Sequence, residues 1–167
     1  MHSEYITVTE AVIDQLPVIE PPPTPEPSPT PRPTRGPAAQ LETIVEQELG
    51  PGNRGVKRVQ SVTYEQGRVT IEWAINDNLT EGLIKTGARL DILDIGEAVY
   101  GSGLGVTSLS LRGSFPLTDA YGNTRAYIVI EALILKGTAD RCNWHEIDSH
   151  NVDLICDEFW AHPAFWW

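Results

Sequence analysis

Ten of the 13 prolines in this 167-residue chain fall between Pro17 and Pro37. Residues 21–37 read PPPTPEPSPTPRPTRGP. Proline at nearly every second position fixes φ and removes backbone donors, which excludes helix and sheet there. The segment is expected to be an extended polyproline II spacer of ~3.1 Å per residue, on the order of 50 Å in all. It reads as a stalk; docking of a proline-binding module and glycosylation of its hydroxyls are the competing uses. Residues 1–20 lack the basic start and continuous apolar run of a cleavable signal, since Glu4, Glu10 and Asp14 interrupt the apolar positions. They are expected to be disordered, so residues 1–40 form a disordered N-terminus plus stalk, and 41–167 one domain, too short for two.

The chain carries 12 Lys and Arg against 23 Asp and Glu, a net charge of −11, of which −8 falls beyond residue 40. Such a balance opposes phosphate neutralisation, so no nucleic-acid partner is expected. No stretch reaches the ~18–20 apolar residues of a membrane span.

Within the domain, Leu41, Ile44, Val45 and Leu49 predict a helix ended by Gly50-Pro51-Gly52. Val59–Tyr64 and Val69–Ile75 predict a hairpin around Glu65-Gln66-Gly67, since Val69, Ile71, Trp73 and Ile75 alternate with Thr70, Glu72 and Ala74. A long helix from about Leu79 to Tyr100 follows, with Asn78 as N-cap and Glu81 at the capping-box spacing. Val106–Leu117 and Thr124–Lys136 form a second hairpin. Its return strand is apolar on both faces over Ala126–Leu135, which predicts cover on both sides by another layer or a second chain, and so a possible homo-oligomer through this hairpin. Thr138–Ile147 is expected to be irregular, and Val152–Ala161 a closing helix. The order is helix–hairpin–helix–hairpin–helix: an α+β domain with a four-stranded antiparallel sheet and helices packed on one face. The two halves read alike enough to suggest either a duplicated unit or two hairpins written in common strand residues.

The proline–threonine segment, the run AINDNLTEGLIKTGARLDI, the turn FPLTDAYGNT and the closing HPAF resemble an uncharacterised family of bacterial surface-anchored proteins, over about residues 40–165. The resemblance implies a cell-surface or extracytoplasmic location and this architecture, and brings no activity with it. No anchor is read before the stalk, so a cytoplasmic location is the alternative.

Gly50-Pro51-Gly52-Asn53-Arg54-Gly55 spells a dinucleotide fingerprint, but a helix precedes it and a strand follows, the reverse of what phosphate binding needs. It reads as a turn. No nucleophile elbow, phosphate loop or zinc-protease motif is present, and no cofactor is expected. The densest constellation is Cys142, His145, His150, Cys156 and His162. A Cys142–Cys156 disulfide would close a 15-residue loop and contribute about 3 kcal/mol; two unpaired thiols, or a zinc site of Cys142, His145, His150 and Cys156, are the alternatives. Asp148, Asp153, Asp157 and Glu158 read as a solvated acidic face, with paired-carboxylate hydrolysis as the enzymatic alternative. Arg112, Asp119, Glu131 and His145 are a further set that a fold could bring together. The aromatic tail offers Trp160, Phe165, Trp166 and Trp167, either as binding residues or as a cap folded back on the sheet. The expectation is a non-catalytic binding or accessory domain on a stalk, for a protein or glycan ligand. The alternatives are a hydrolase using the His/Asp-rich segment and a structural assembly subunit.

Overall fold

A computed structural model of the chain describes residues 36–166. The expectations for residues 1–35, the stalk among them, and for Trp167 lie outside the described residues. The first element, α1 (Pro37–Leu49), begins with proline at N1, where the missing N–H costs nothing. It buries Leu41, Val45 and Leu49. The strands β1 (Val59–Glu65) and β2 (Arg68–Ala74) pair antiparallel. Their two-residue turn puts Gln66 at φ 52° and Gly67 at φ 85°, the left-handed pair that matches strand twist. Then come α2 (Glu81–Gly101), β3 (Ser108–Thr118) and β4 (Thr124–Leu135), the last two an antiparallel hairpin.

The sheet is five-stranded and mixed, in the order β1-β2-β3-β4-β5, rather than four-stranded and antiparallel. The two hairpins meet through β2 and β3, which run parallel, Val69 against Leu109 and Ile71 against Leu111. The 21 residues of α2 are the crossover that a parallel pair requires. The closing helix is also corrected. Only Val152–Ile155 is helical (α4, after the short α3, Lys136–Ala139), and Glu158–Ala161 forms β5 on the edge of β4. An isolated ten-residue helix is marginal in water, whereas Glu158–Ala161 gains a ready strand partner in β4. Thr138–Ile147, expected to be irregular, contains the end of α3 and a single 3-10 turn at Trp144–Glu146. The Gly50–Gly55 segment links α1 to β1, as its flanking elements required.

Alternation decides the two faces of the sheet. Val69, Ile71, Trp73, Leu109, Leu111, Ile130, Ala132 and Ile134 are buried in one core with Ala88, Ile92, Ile95 and Val99 of α2 and the inner residues of α1. Gly113 is needed there, because a Cβ would stand 2.9 Å from the Trp73 ring. The core also holds a charge: Arg58, 6% exposed, lies 2.6 Å from Asp91 of α2, whose same oxygen accepts from the Trp73 indole N–H at 3.0 Å. A buried pair of this kind is costly to break, since removing one partner strands the other. Asp94, one turn further along α2, has its carboxyl pushed up to about 6 by burial and by the neighbouring Asp91, Glu48 and Glu97 carboxylates, with Arg58 opposing.

Among the described residues, no helix covers the intervening positions. Thr70 and Glu72 on β2, Ser110 and Arg112 on β3, and Glu131 and Leu133 on β4 are half-buried or exposed. Of the two covers expected over Ala126–Leu135, a second layer of this chain is absent along this stretch among the described residues: Glu131 and Leu135 are exposed. Part of the apolar excess is absorbed by a bulge. The register jumps from Gly113↔Ile130 to Ser114↔Ile128, leaving Val129 as the extra, fully buried residue.

Candidate binding surface

The open face is organised in rows across the strands. One row runs Ser61, Glu72, Arg112, Glu131, Trp160 from β1 to β5, and the next runs Thr63, Thr70, Ser110, Leu133, Glu158. Arg112 is the pivot of the first. Its Nε donates to Glu131 at 3.2 Å and its Nη1 lies 3.5 Å from Glu72, so one guanidinium is shared by carboxylates from both flanking strands. Cross-strand opposite charges of this kind contribute about 0.2–1 kcal/mol each. Trp160, 44% exposed, stands directly across from Glu131, and Glu158 is two residues before it on the same face. Ser110, Arg112, Glu131, Leu133, Glu158 and Trp160 border a shallow depression of about 380 Å³. Trp160 is also edge-on to His162, with ring centroids 6.5 Å apart. The His162 Nδ1 accepts from the Ala164 N–H at 3.1 Å, which helps hold the chain as it leaves β5.

Of the expected aromatic residues, Trp160 stands on this face and Phe165 does not. Phe165 is buried, edge-on to Phe115 with centroids 5.4 Å apart. The Lys85 ammonium donates to the Trp166 carbonyl at 2.8 Å, so the tail folds back on the domain while the Trp166 side chain stays 53% exposed. Trp167 is outside the described residues.

The Cys/His segment disperses. Cys142 and Cys156 are free thiols. Burial, with Asp153, Asp157 and Cys142 adding to it, pushes the Cys156 thiol up to about 12, and burial also raises Cys142, whose sulfur donates to the Thr138 carbonyl. His145 lies 3.1 Å from Glu97 of α2, and His150 lies 2.9 Å from Asp148, all four side chains substantially exposed. Among the described residues, no three His, Cys, Asp or Glu side chains gather as a metal ion would require. Asp157 serves the fold: its carboxylate accepts from the Leu135 N–H at 2.7 Å and the Thr138 hydroxyl at 2.9 Å, which holds it below the usual carboxylate range. Of Arg112, Asp119, Glu131 and His145, only Arg112 and Glu131 meet. Asp119 accepts from the Tyr121 and Asn123 N–H groups in the hairpin turn.

Sequence reasoning missed the grouping of Ser110, Leu133 and Glu158 with Trp160. It joins residues of β3, β4 and β5 and is readable only once strand order is known. No family model, curated protein or solved structure matches the chain.

Proposed function

We propose that this chain is a non-catalytic binding or accessory domain, held outside the cytoplasm on its proline-rich segment, and that the open sheet face around Trp160 is its contact surface. The observation that carries the reading is a half-exposed indole beside a depression whose floor is sheet, with polar groups supplied by three strands. Indole rings of this exposure are anchors of recognition because they bury large area and lose few rotamers. Strands make the platform rigid, so little ordering cost is incurred on binding. The hydrolase alternative draws no comparable support, since His145 and His150 each face a carboxylate in the open, on different elements.

An array of glycans and of acidic, neutral and basic peptides, probed with the full chain and with Trp160→Leu, tests the surface. Ligands retained by the full chain are expected to be lost by the variant. Binding indifferent to Trp160, or ester or glycoside hydrolysis abolished by His150→Ala, would overturn the reading. Labelling of the domain on intact, unpermeabilised cells tests its location.

A further inference from the structure

The open face carries Glu65, Arg68, Glu72, Arg112, Glu131 and Glu158, four carboxylates to two guanidiniums. They are not spread evenly. Arg112 already serves Glu72 and Glu131, while Glu158 makes no ion pair among the described residues. The Trp160 end of the face therefore combines an exposed π surface with two carboxylates, Glu131 across the strand pair and Glu158 two residues along. Cβ separations on such a face are ~5–8 Å. A cation seated over the indole lies within the ~6 Å at which the ring attracts it, and within charge-assisted hydrogen-bond reach of a carboxylate on either side. The sheet demonstrates the chemistry with its own side chain, holding Arg112 between carboxylates of neighbouring strands. The charge of −8 beyond residue 40 adds long-range attraction for cations.

We infer that the depression beside Trp160 receives a lysine or arginine side chain from a basic segment of a protein partner. The inference rests on the binding reading above and supplies its ligand chemistry. The cation displaces little, because the Glu158 carboxylate and the indole face are already open to solvent. Ser110, in the same row as Glu158, offers a hydroxyl to the backbone of the segment that carries the cation. An anionic partner meets an excess of carboxylates at this end, and like charges brought together there oppose binding.

The test is fluorescence anisotropy with a fluorescein-labelled octapeptide of alternating arginine and serine, titrated with the full chain at low and at physiological salt. Glu158→Gln and Trp160→Leu are each expected to weaken binding by ~5–10-fold. Glu65→Gln, the same change of charge at the far side of the face, is expected to change it less than about twofold, and higher salt to weaken every form. The Glu158 variant removes one exposed charge and no packing, so its result does not depend on the fate of the tryptophan variant. Equal loss from Glu65→Gln and Glu158→Gln would overturn the inference in favour of diffuse attraction, and an unbound peptide would overturn it outright. In the second case, cellohexaose bound by the full chain and released by Trp160→Leu would leave the contact surface standing with a neutral ligand. If neither probe depends on Trp160, both readings fail.

Discussion

Among single residues, Asp94 carries the clearest consequence. Its carboxyl is pushed from 3.8 to about 6 because burial and the Asp91, Glu48 and Glu97 carboxylates all disfavour its charge, with only Arg58 opposing. A carboxyl whose folded value lies above its unfolded one favours the protonated native state. Ionisation therefore costs stability progressively from about pH 4 to pH 6, and the full cost is present above that window. Asp94→Asn is expected to raise Tm at pH 7 and to leave it nearly unchanged at pH 3.5, measured by calorimetry at both values. Equal effects at the two pH values would remove the electrostatic explanation. The neighbouring Asp91 is also raised by burial, but Arg58 and the Trp73 indole oppose the shift, and its carboxylate ties α2 to Arg58 ahead of β1 and to Trp73 of β2. None of this was legible in the chain, where Asp91 and Asp94 are two acidic residues among many on an acidic domain. Burial of a charge is a property of packing, and α1, β1 and α2 must be assembled before it exists.

Elements were legible wherever one period dominated. The alternation Val69, Ile71, Trp73 against Thr70, Glu72 sufficed for β2, and the i, i+4 apolar recurrence for α2. Two features escaped. Val152–Ala161 places Leu154, Ile155, Phe159 and Trp160 in adjacent pairs, a spacing that a helix or two short pieces serve equally well; the open edge of β4 decided for a strand. The parallel β2–β3 joint escaped because it pairs residues about 40 apart, and nothing local encodes such a partner. Helix starts show the same limit. The spacing Asn78-x-x-Glu81 suggested a capping box, yet the cap is Thr80, at φ −137°, whose hydroxyl accepts from the Leu83 N–H. Beginning there turns Ala88, Ile92, Ile95 and Val99 inward and leaves Leu79 94% exposed. Thr80→Ala should cost about 1 kcal/mol in denaturant unfolding. Asn78→Ala, whose side chain accepts only from the adjacent Leu79 N–H, should cost less than half as much. The reverse order would restore the earlier start.

For the molecule as a whole, the candidate surface follows from an imbalance of layers. Two main helices cover one face of five strands, as the sequence anticipated, and among the described residues no helix lies on the other. In the sequence that face is divided: Thr70 and Glu72 read as the polar half of an alternation, Ala126–Leu135 as apolar on both faces, and Trp160 as one member of an aromatic tail rather than the end of a row. The first helix also starts earlier than expected. Sequence composition placed it at residue 41, whereas α1 starts at Pro37, so a cut before Leu41 removes the first turn and the N–H of Gln40 that bonds to the Gly36 carbonyl. A truncation at residue 35 keeps that turn; one at residue 40 leaves fully buried Leu41 at a frayed terminus. If residues 1–35 act as a stalk, their removal should leave Tm within about 2 °C of the full chain, while removal of residues 1–40 should lower it by several degrees, given ~2–8 °C per kcal/mol for domains of this size range. Limited proteolysis of the full chain should likewise release a resistant fragment beginning near Gly36. A large fall in Tm for the shorter truncation would show that the proline-rich segment contributes to the stability of the folded domain, and the stalk reading would have to be abandoned.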